Sequence, residues 1–479
     1  MQPQPQPQHP PPRKPWWTIC LVVGAFLVGM NVNVHLATLG KRSIMGEELT
    51  RKTSAIRNHT NTTIHVEGTA TDKDKELEAS DNKDEINRPF LLPMTADPKV
   101  SSLFAGLCRA GSGAAPAAGR NNNTNNDPTG ISSLSSACLV QTVQPDAATL
   151  AHIRHNQDQR HGCLPFREGR VLHLPWCAWD SRTDGHISGP ILRREFPEME
   201  KEPLGIFQTH LQNKPPGIVI DAGSQVGLFS AVALAAGHYT VSVDARPEHI
   251  QMNMVSRALN GYYDTPTTSP QSSKIPQQHK QHGMIVHGAL ADSCSGVEWA
   301  TMPHAQQEHG NPGASNIVGR VNQGWPHYKS LEEFQHLFPI PMVTLDAIME
   351  KVFQQLASME AQPQNTKNST RIRPHVYALK MDIEGFEPRA LMGATRLFSY
   401  VQPDLIILEV FVHRFADCNV KVLLQALLAL GYRMDVSPRL NVQCPTSSCK
   451  DMRLDSPAFA TFVNGLGPQA EMDLVFYRI

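Results

Sequence analysis

The chain has 479 residues, room for two or three domains, yet long polar and low-complexity stretches mean that folded structure is not spread evenly along it. With 43 basic against 44 acidic side chains the formal net charge is −1, which argues against an electrostatic grip on nucleic acid. None of the nine cysteines stands at zinc-ligand spacing, so no zinc module is read from them.

Residues 1–15, "MQPQPQPQHPPPRKP", are Pro/Gln low complexity and cannot build a core. Residues 16–39 follow as an apolar segment. Trp16 to Met30 is fully apolar, and with Val32, Val34 and Leu36 it reaches the roughly 20 residues that span a bilayer. A retained signal anchor is expected; Ala37 leaves a cleavable signal peptide open. Arg13 and Lys14 precede the segment and Lys41 and Arg42 follow it, so flanking charge barely decides orientation. Asn58, Asn61, Asn122 and Asn368 each open an Asn-x-Ser/Thr acceptor. Cys20 lies in the apolar segment, and the remaining cysteines form an even set compatible with disulfides. Together these favour a single-pass type II protein with a cytosolic tail and a body in the Golgi or another secretory lumen.

Residues 40–150 read as a disordered stem, because "TATDKDKELEASDNKDE" and "GSGAAPAAGRNNNTNNDPTG" carry little hydrophobic periodicity. Residues 151–215 read as an irregular but folded lead-in, with Cys163 and Cys177 available to pin it. Its Trp176 and Trp179 have two readings, core side chains or platforms that stack on a sugar face. From 216 to 479 the pattern changes. "GIVID" is a strand and "VGLFSAVALAAG" a helix ended by Gly237; "YTVSVDA" is a strand and "PEHIQMNMVSRALNG" a helix opened by Pro247. After a polar insertion at 262–283 come "MIVHGAL", the helix in "VTLDAIMEKVFQQLA", a second polar insertion at 360–373, and the strand "HVYALKMDI". A helix from Glu387, "DLIILEV", the helix "VKVLLQALLAL", "GYRMDVS" and "MDLVFYRI" complete the chain. Alternating strands and helices predict a mostly parallel, seven-stranded sheet covered on both faces, with the final strand antiparallel.

Two stretches carry chemistry. In "VIDAGSQVG", Asp221, Gly223 and Gly227 stand at a strand-to-helix turn, where glycines admit a close ligand and the helix offers free N–H groups. Asp244 closes the next strand about 20 residues beyond Gly223, the distance at which an acid reaches a ribose hydroxyl. The G-x-x-x-G spacing departs from the dinucleotide pattern and points to S-adenosylmethionine. In "KMDIEGFEPRAL", Lys380, Asp382 and Glu384 alternate onto one side of a strand and emerge at its end. A hydroxyl acceptor needs a group to take its proton, and Asp382 is the first candidate base, with Glu384 orienting substrate or sharing that task and Lys380 keeping Asp382 ionised. The plainer alternative is a salt-bridged strand end. Glu409 and His413 end the following strand, and His413 has a pKa suited to proton transfer or a structural role. The spacing of Asp382, Glu384 and His413 is not diagnostic of a metal set, and no metal is expected.

The succession "VIDAGSQVGLFS", "VSVDARPEHIQMN", "GALADSCSG", "VTLDAI" and "LKMDIEGFEPRALMGA" resembles the blocks of the FkbM family of S-adenosylmethionine-dependent methyltransferases, from about Pro216 to Ile479. The resemblance implies a Rossmann-like class I methyltransferase that usually methylates hydroxyl oxygens, often on sugars or polyketides. It implies that Asp221, Gly223 and Gly227 surround the methionine part of the cofactor, that Asp244 holds the ribose, and that Ala289 and Asp292 lie beside the adenine; for Asp292 a turn cap is the alternative. Ser224-Gln225 stands where the family usually has Ala-Asn, and Asp244-Ala245 where it usually has Glu-Pro. The acceptor is expected to bear a hydroxyl, a glycan being favoured by the expected location. The rivals are a lipid or small-metabolite acceptor, and a non-catalytic luminal module that kept the fold.

Overall fold

Strands such as "IVIDA" and "YTVSVD" have no polar face, and runs of that kind are stable only in a sheet covered on both sides. The computed structural model has that sheet. It describes residues 92–93, 95–108, 138, 140–158, 163, 165–263, 283–294, 340–360, 372–415, 418–440, 442–444 and 449–479. The expected cytosolic tail, the apolar segment with Cys20, most of the stem, the four glycosylation acceptors and most of both polar insertions lie outside the described residues. Among the described residues no helix is long and apolar enough to cross a membrane.

In chain order the strands are β1 (Thr142–Val143), β2 (Arg167–Val171), β3 (Leu174–Ala178), β4 (Ile218–Ala222), β5 (Tyr239–Asp244), β6 (Gly283–His287), β7 (Ala289–Leu290), β8 (Met342–Val343), β9 (Val376–Met381), β10 (Leu405–Phe411), β11 (Tyr432–Leu440) and β12 (Glu471–Arg478). Eight of them form one sheet in the order β1-β6-β5-β4-β9-β10-β12-β11. The five from β6 to β10 run parallel. β12 is antiparallel to both β10 and β11, so the expected antiparallel final strand is present, inserted between its neighbours. The eighth strand is β1, which pairs antiparallel with β6 and comes from the region assigned to the stem.

Alternation along β4 and along β9, interrupted by an irregularity in their pairing at Tyr377, divides the core between two faces. Ile218, Ile220, Leu379 and Met381 point to one, covered by the helices Leu345–Glu360, Glu387–Met392, Thr395–Tyr400 and Val420–Ala429. Val219, Tyr377 and Ala378 point to the other, covered by Lys201–Leu211, Leu228–Ala235 and Pro247–Leu259. Each fully buried Leu, Ile or Phe contributes roughly 1.5–3 kcal/mol, so the two layers rather than helix propensity hold the sheet together.

A second folded piece within the stem assignment is the helix Pro98–Ala105. Asp97 caps it by accepting from the backbone N–H of Lys99 at 2.7 Å, and Pro98 stands in the first turn, where its missing N–H costs nothing. Val100 and Phe104 are buried, and Phe104 meets Phe398 edge to face at 5.2 Å. The expected lead-in start at Ala151 falls inside the helix Ala147–Asp158. Within the lead-in, β2 and β3 form a hairpin. Disulfides join Cys108 to Cys418, Cys138 to Cys294, Cys163 to Cys177 and Cys444 to Cys449.

Candidate active site

The strand order reverses beside β4: the chain runs outward through β5 to β6, then returns as β9 on the other side. Ligands of open α/β sheets bind in the crevice at such a reversal, beyond the carboxyl ends of the strands. Gly223 leaves β4 there with φ +72°, and a Cβ on it would lie 1.7 Å from the carbonyl oxygen of Asp382 at the end of β9. Only glycine admits that approach. A Cβ at Gly227 would lie 2.1 Å from Asn253 Oδ1, so this second glycine lets two helices close up rather than lining the crevice.

The crevice holds about 540 Å³ of empty space, its open mouth included. Gly223, Gln225, Asp244, Arg246, His249, Gly288, Ala289, Asp382, Ile383 and Glu384 are among its walls. The glycine turn, the acid ending β5 and the acids following β9 therefore meet at one cavity, as expected from sequence. Asp221, Gly227, Asp292, Lys380 and His413 are not among its lining residues.

Asp221 lies beneath the turn. Its Oδ2 accepts from the backbone N–H of Ser230 at 2.9 Å and from its hydroxyl at 2.6 Å, while burial pushes its pKa up. It fixes the start of the helix behind Gly227 instead of facing a ligand. Asp292 is drawn away by the guanidinium of Arg389, which donates to it at 3.2 Å from the helix Glu387–Met392. His413 belongs to a short 3-10 turn, Val412–Arg414, beyond the end of β10.

Asp244 is nearly buried and accepts three hydrogen bonds: from the N–H of Gln225 at 2.7 Å, from the N–H of Arg246 at 2.8 Å, and from His249 Nδ1 at 3.2 Å. Burial alone would raise its pKa, but the imidazole and the two N–H groups outweigh it and hold the carboxyl below its usual range. Asp244 therefore faces the cavity ionised, with lone pairs left for a hydroxyl donor. Sequence reasoning missed His249. One turn into the helix that opens at Pro247, it carries no signal beyond its distance from the acid. Trp179 braces this wall from behind, its ring 5.9 Å under Arg246 and edge-on to His249 at 6.2 Å. Trp176 is core: wholly buried, its indole N–H donates to the carbonyl of Val226 at 2.5 Å.

Lys380 ties the two halves of the site together. It is buried, and its Nζ donates to the carbonyl of Gly223 at 2.9 Å and to Asp382 Oδ2 at 3.2 Å. Burial would lower its pKa, but Asp382 and Asp221 prevail and raise it, so the ammonium stays charged. Asp382 stays ionised in turn: burial raises its pKa, and Lys380, with the hydrogen bond from Glu409 and the charge of Arg439, more than reverses this. The next acid, Glu384, takes φ +60° and pairs with Arg414. Glu387 supports the turn from below. Its Oε1 accepts from the N–H of Ile383 at 2.9 Å, and burial pushes its pKa up to about 8.

Behind Asp382 lies a second layer. The carboxylate oxygens of Asp382, Glu384 and Glu409 come within 4.8 Å of one another. Glu409 pairs with Arg439 of β11, whose Nε also donates to Asp473 of β12 at 2.7 Å. Arg439 and Asp473 were illegible in the sequence, since only the antiparallel return of β12 brings them beside β10. Each of the three carboxylates already faces a cationic side chain, Lys380, Arg414 or Arg439, which a metal would have to displace. We assign no metal.

No curated protein matches the chain. Among solved structures it is similar to a precorrin-6y C5,15-methyltransferase from Geobacter metallireducens GS-15, at 8% identity over 58% of this chain and 89% of that one, with a TM-score of 0.23. It is also similar to a SAM-dependent O-methyltransferase from Thermotoga maritima (9% identity, 58% and 65% covered, TM-score 0.24) and to a SAM-dependent methyltransferase from Agrobacterium tumefaciens (8% identity, 65% and 70% covered, TM-score 0.28). Residues 300–434, which contain β9 with Lys380, Asp382 and Glu384 and stop inside β11, match the family model of the methyltransferase FkbM domain.

Proposed function

We propose that the chain is an S-adenosylmethionine-dependent methyltransferase that methylates a hydroxyl of a glycan or another secretory-pathway acceptor. The observation that carries the reading is the meeting of Gly223, Asp244 and Asp382 around one cavity of about 540 Å³. The residues present fit the cofactor: the crevice opens beside the glycine turn, and an ionised Asp244 on its wall offers lone pairs to the ribose hydroxyls. Ala289 and Gly288 form the wall on the adenine side. When bound, S-adenosylmethionine supplies an activated methyl group. Asp382 accepts the proton of the acceptor hydroxyl, Glu384 orients that acceptor, and Lys380 holds Asp382 ionised and in place.

Four disulfides support placing the body in an oxidising compartment, because such bonds do not persist in the cytosol. With the apolar segment from Trp16 and the Asn-x-Ser/Thr acceptors, this favours a membrane-anchored type II protein facing the Golgi or a neighbouring lumen. Glycosidase treatment should then increase its gel mobility, and an unchanged band would count against that location.

The decisive experiment is calorimetry of the full chain with S-adenosylmethionine, followed by transfer of isotopically labelled methyl to a panel of sugar, lipid and small hydroxyl acceptors. Asp382→Asn should keep cofactor affinity and lose transfer. No heat of binding would sink the reading, as would an Asp382→Asn variant that transfers like the parent.

A further inference from the structure

We propose that Glu409 is the proton partner of Asp382: the two carboxyl groups hold one proton between them, and this pair, rather than Asp382 alone, receives the proton that methylation releases. The inference deepens the proposed function and rests on it.

Glu409 stands on β10 next to β9, and its carboxylate oxygens come within 4.8 Å of those of Asp382 and Glu384. The side chains of Asp382 and Glu409 are only 26% and 11% exposed. Two carboxylates so close, with so little water between them, do not both stay ionised. Neighbouring cations do not remove the conflict. Lys380, Arg414 and Arg439 face Asp382, Glu384, Glu409 and Asp473, while Glu200, from the turn ahead of the helix Lys201–Leu211, adds a fifth acid to the same field. Five acids face three cations, and a proton on the pair removes one of the two excess negative charges.

Geometry and charge agree on where that proton rests. Burial, then the adjacent Asp382, push Glu409 well above the usual carboxylate range, whereas Lys380 holds Asp382 low. Glu409 therefore carries the proton and donates it to Asp382. Arg439 fixes Glu409 from the far side, and Lys380 fixes Asp382 from the near side.

The balance of the reaction gives the pair its purpose. When a hydroxyl oxygen takes a methyl group, a C–O bond replaces a C–S bond. The electrons of the C–S bond stay on sulfur, and those of the O–H bond stay on oxygen. One sulfonium charge vanishes and one proton is set free. A pair that begins with a single negative charge ends neutral by taking that proton, so no net charge is created or lost in the buried site.

Calorimetry of the full chain tests this without an acceptor. Titrations with S-adenosylmethionine and with S-adenosylhomocysteine, in buffers of different ionisation heat at neutral pH, count the protons exchanged on binding. Only the first ligand carries the sulfonium charge, which favours the more negative form of the pair. It should therefore displace a larger fraction of a proton than the neutral homologue. Glu409→Gln keeps a donor toward Asp382 but has no proton to yield, and it should bind both ligands and abolish the difference. Glu200→Gln, which removes another raised carboxyl, should leave the difference intact. Equal proton counts in the parent, or a difference that survives Glu409→Gln, would overturn the proposal even where the ligands bind. If neither ligand binds the parent, the cofactor reading fails and takes this inference with it.

Discussion

Gly223→Ala tests the architecture of the site at its tightest point. The new methyl would lie 1.7 Å from the carbonyl oxygen of Asp382, whereas real Cβ atoms essentially never come nearer than 3.0 Å, so the two strand ends must part by about 3.0 − 1.7 = 1.3 Å. The φ of +72° adds a conformational cost of about 1–2 kcal/mol for an L side chain. Overpacking against main chain adds about 1–3 kcal/mol, for a total of roughly 2–5 kcal/mol. Gly237 supplies the control: its φ is +83°, but nothing lies within 4 Å of its position, so Gly237→Ala should show the conformational cost alone. Urea unfolding of the two variants then isolates the collision. Cofactor calorimetry shows its consequence, because a displacement of about 1 Å at a site costs on the order of a hundredfold in function. If Gly223→Ala proves no more destabilising than Gly237→Ala and binds S-adenosylmethionine like the parent, the close contact between the glycine bend and the acid turn is not what shapes the site.

Asp244→Asn should weaken binding of S-adenosylmethionine by about 10–100-fold, the loss of hydrogen bonds to a charged group, and should also lower the urea midpoint, because both carboxylate oxygens accept from N–H donors and the amide NH2 would face one of them; an unchanged Kd would remove Asp244 from the cofactor site. Lys380→Met leaves Asp382 without its cation and should destabilise the chain by about 3–5 kcal/mol in chemical denaturation. Gln225 takes φ +48°, a region Asn tolerates better, so Gln225→Asn should stabilise the fold by up to about 1 kcal/mol; a lower midpoint would contradict this. Glu387 has its folded pKa raised to about 8 by burial. Between its unfolded value and that pH the folded state holds a proton that the unfolded chain has lost. Its contribution therefore falls by about 1.4 kcal/mol per pH unit as pH rises. Glu387→Gln should remove that slope between pH 5 and pH 8, and parallel stability curves for variant and parent would refute the assignment.

The parallel strands were legible because "IVIDA", "YTVSVD" and "HVYALKM" are apolar runs with turn residues after them, and a strand buried on both faces has no other pattern available. Gly223, Asp244 and Asp382 were legible for a related reason: charge and glycine directly after such runs must emerge at the same end of a parallel sheet. What escaped depended on contacts far apart in sequence. β1 is only Thr142 and Val143 in a polar stretch, and it exists because β6 offers an open edge. Asp292 lies where the family resemblance places an adenine contact, but a guanidinium 97 positions away claims it. The second layer of Glu409, Arg439 and Asp473 requires knowing that β12 inserts between β10 and β11, which no local pattern records. Cys163 and Cys177, close in sequence, are joined as the lead-in reading allowed; the distant disulfide partners were invisible, Cys108 and Cys418 being 310 positions apart.

The indole of Trp176, anchored on the carbonyl of Val226, gives the β2–β3 hairpin a significance its sequence does not advertise. It backs the loop between the two glycines, and through Cys163–Cys177 it is itself covalently stiffened. A fragment trimmed to begin at Pro216 would retain every strand from β4 to β12, yet the loop beside the crevice would lose its rear wall. The smallest piece able to reproduce native ligand affinity thus extends well upstream of the domain that homology would delimit, and weak binding by a shorter one would reflect where it was cut.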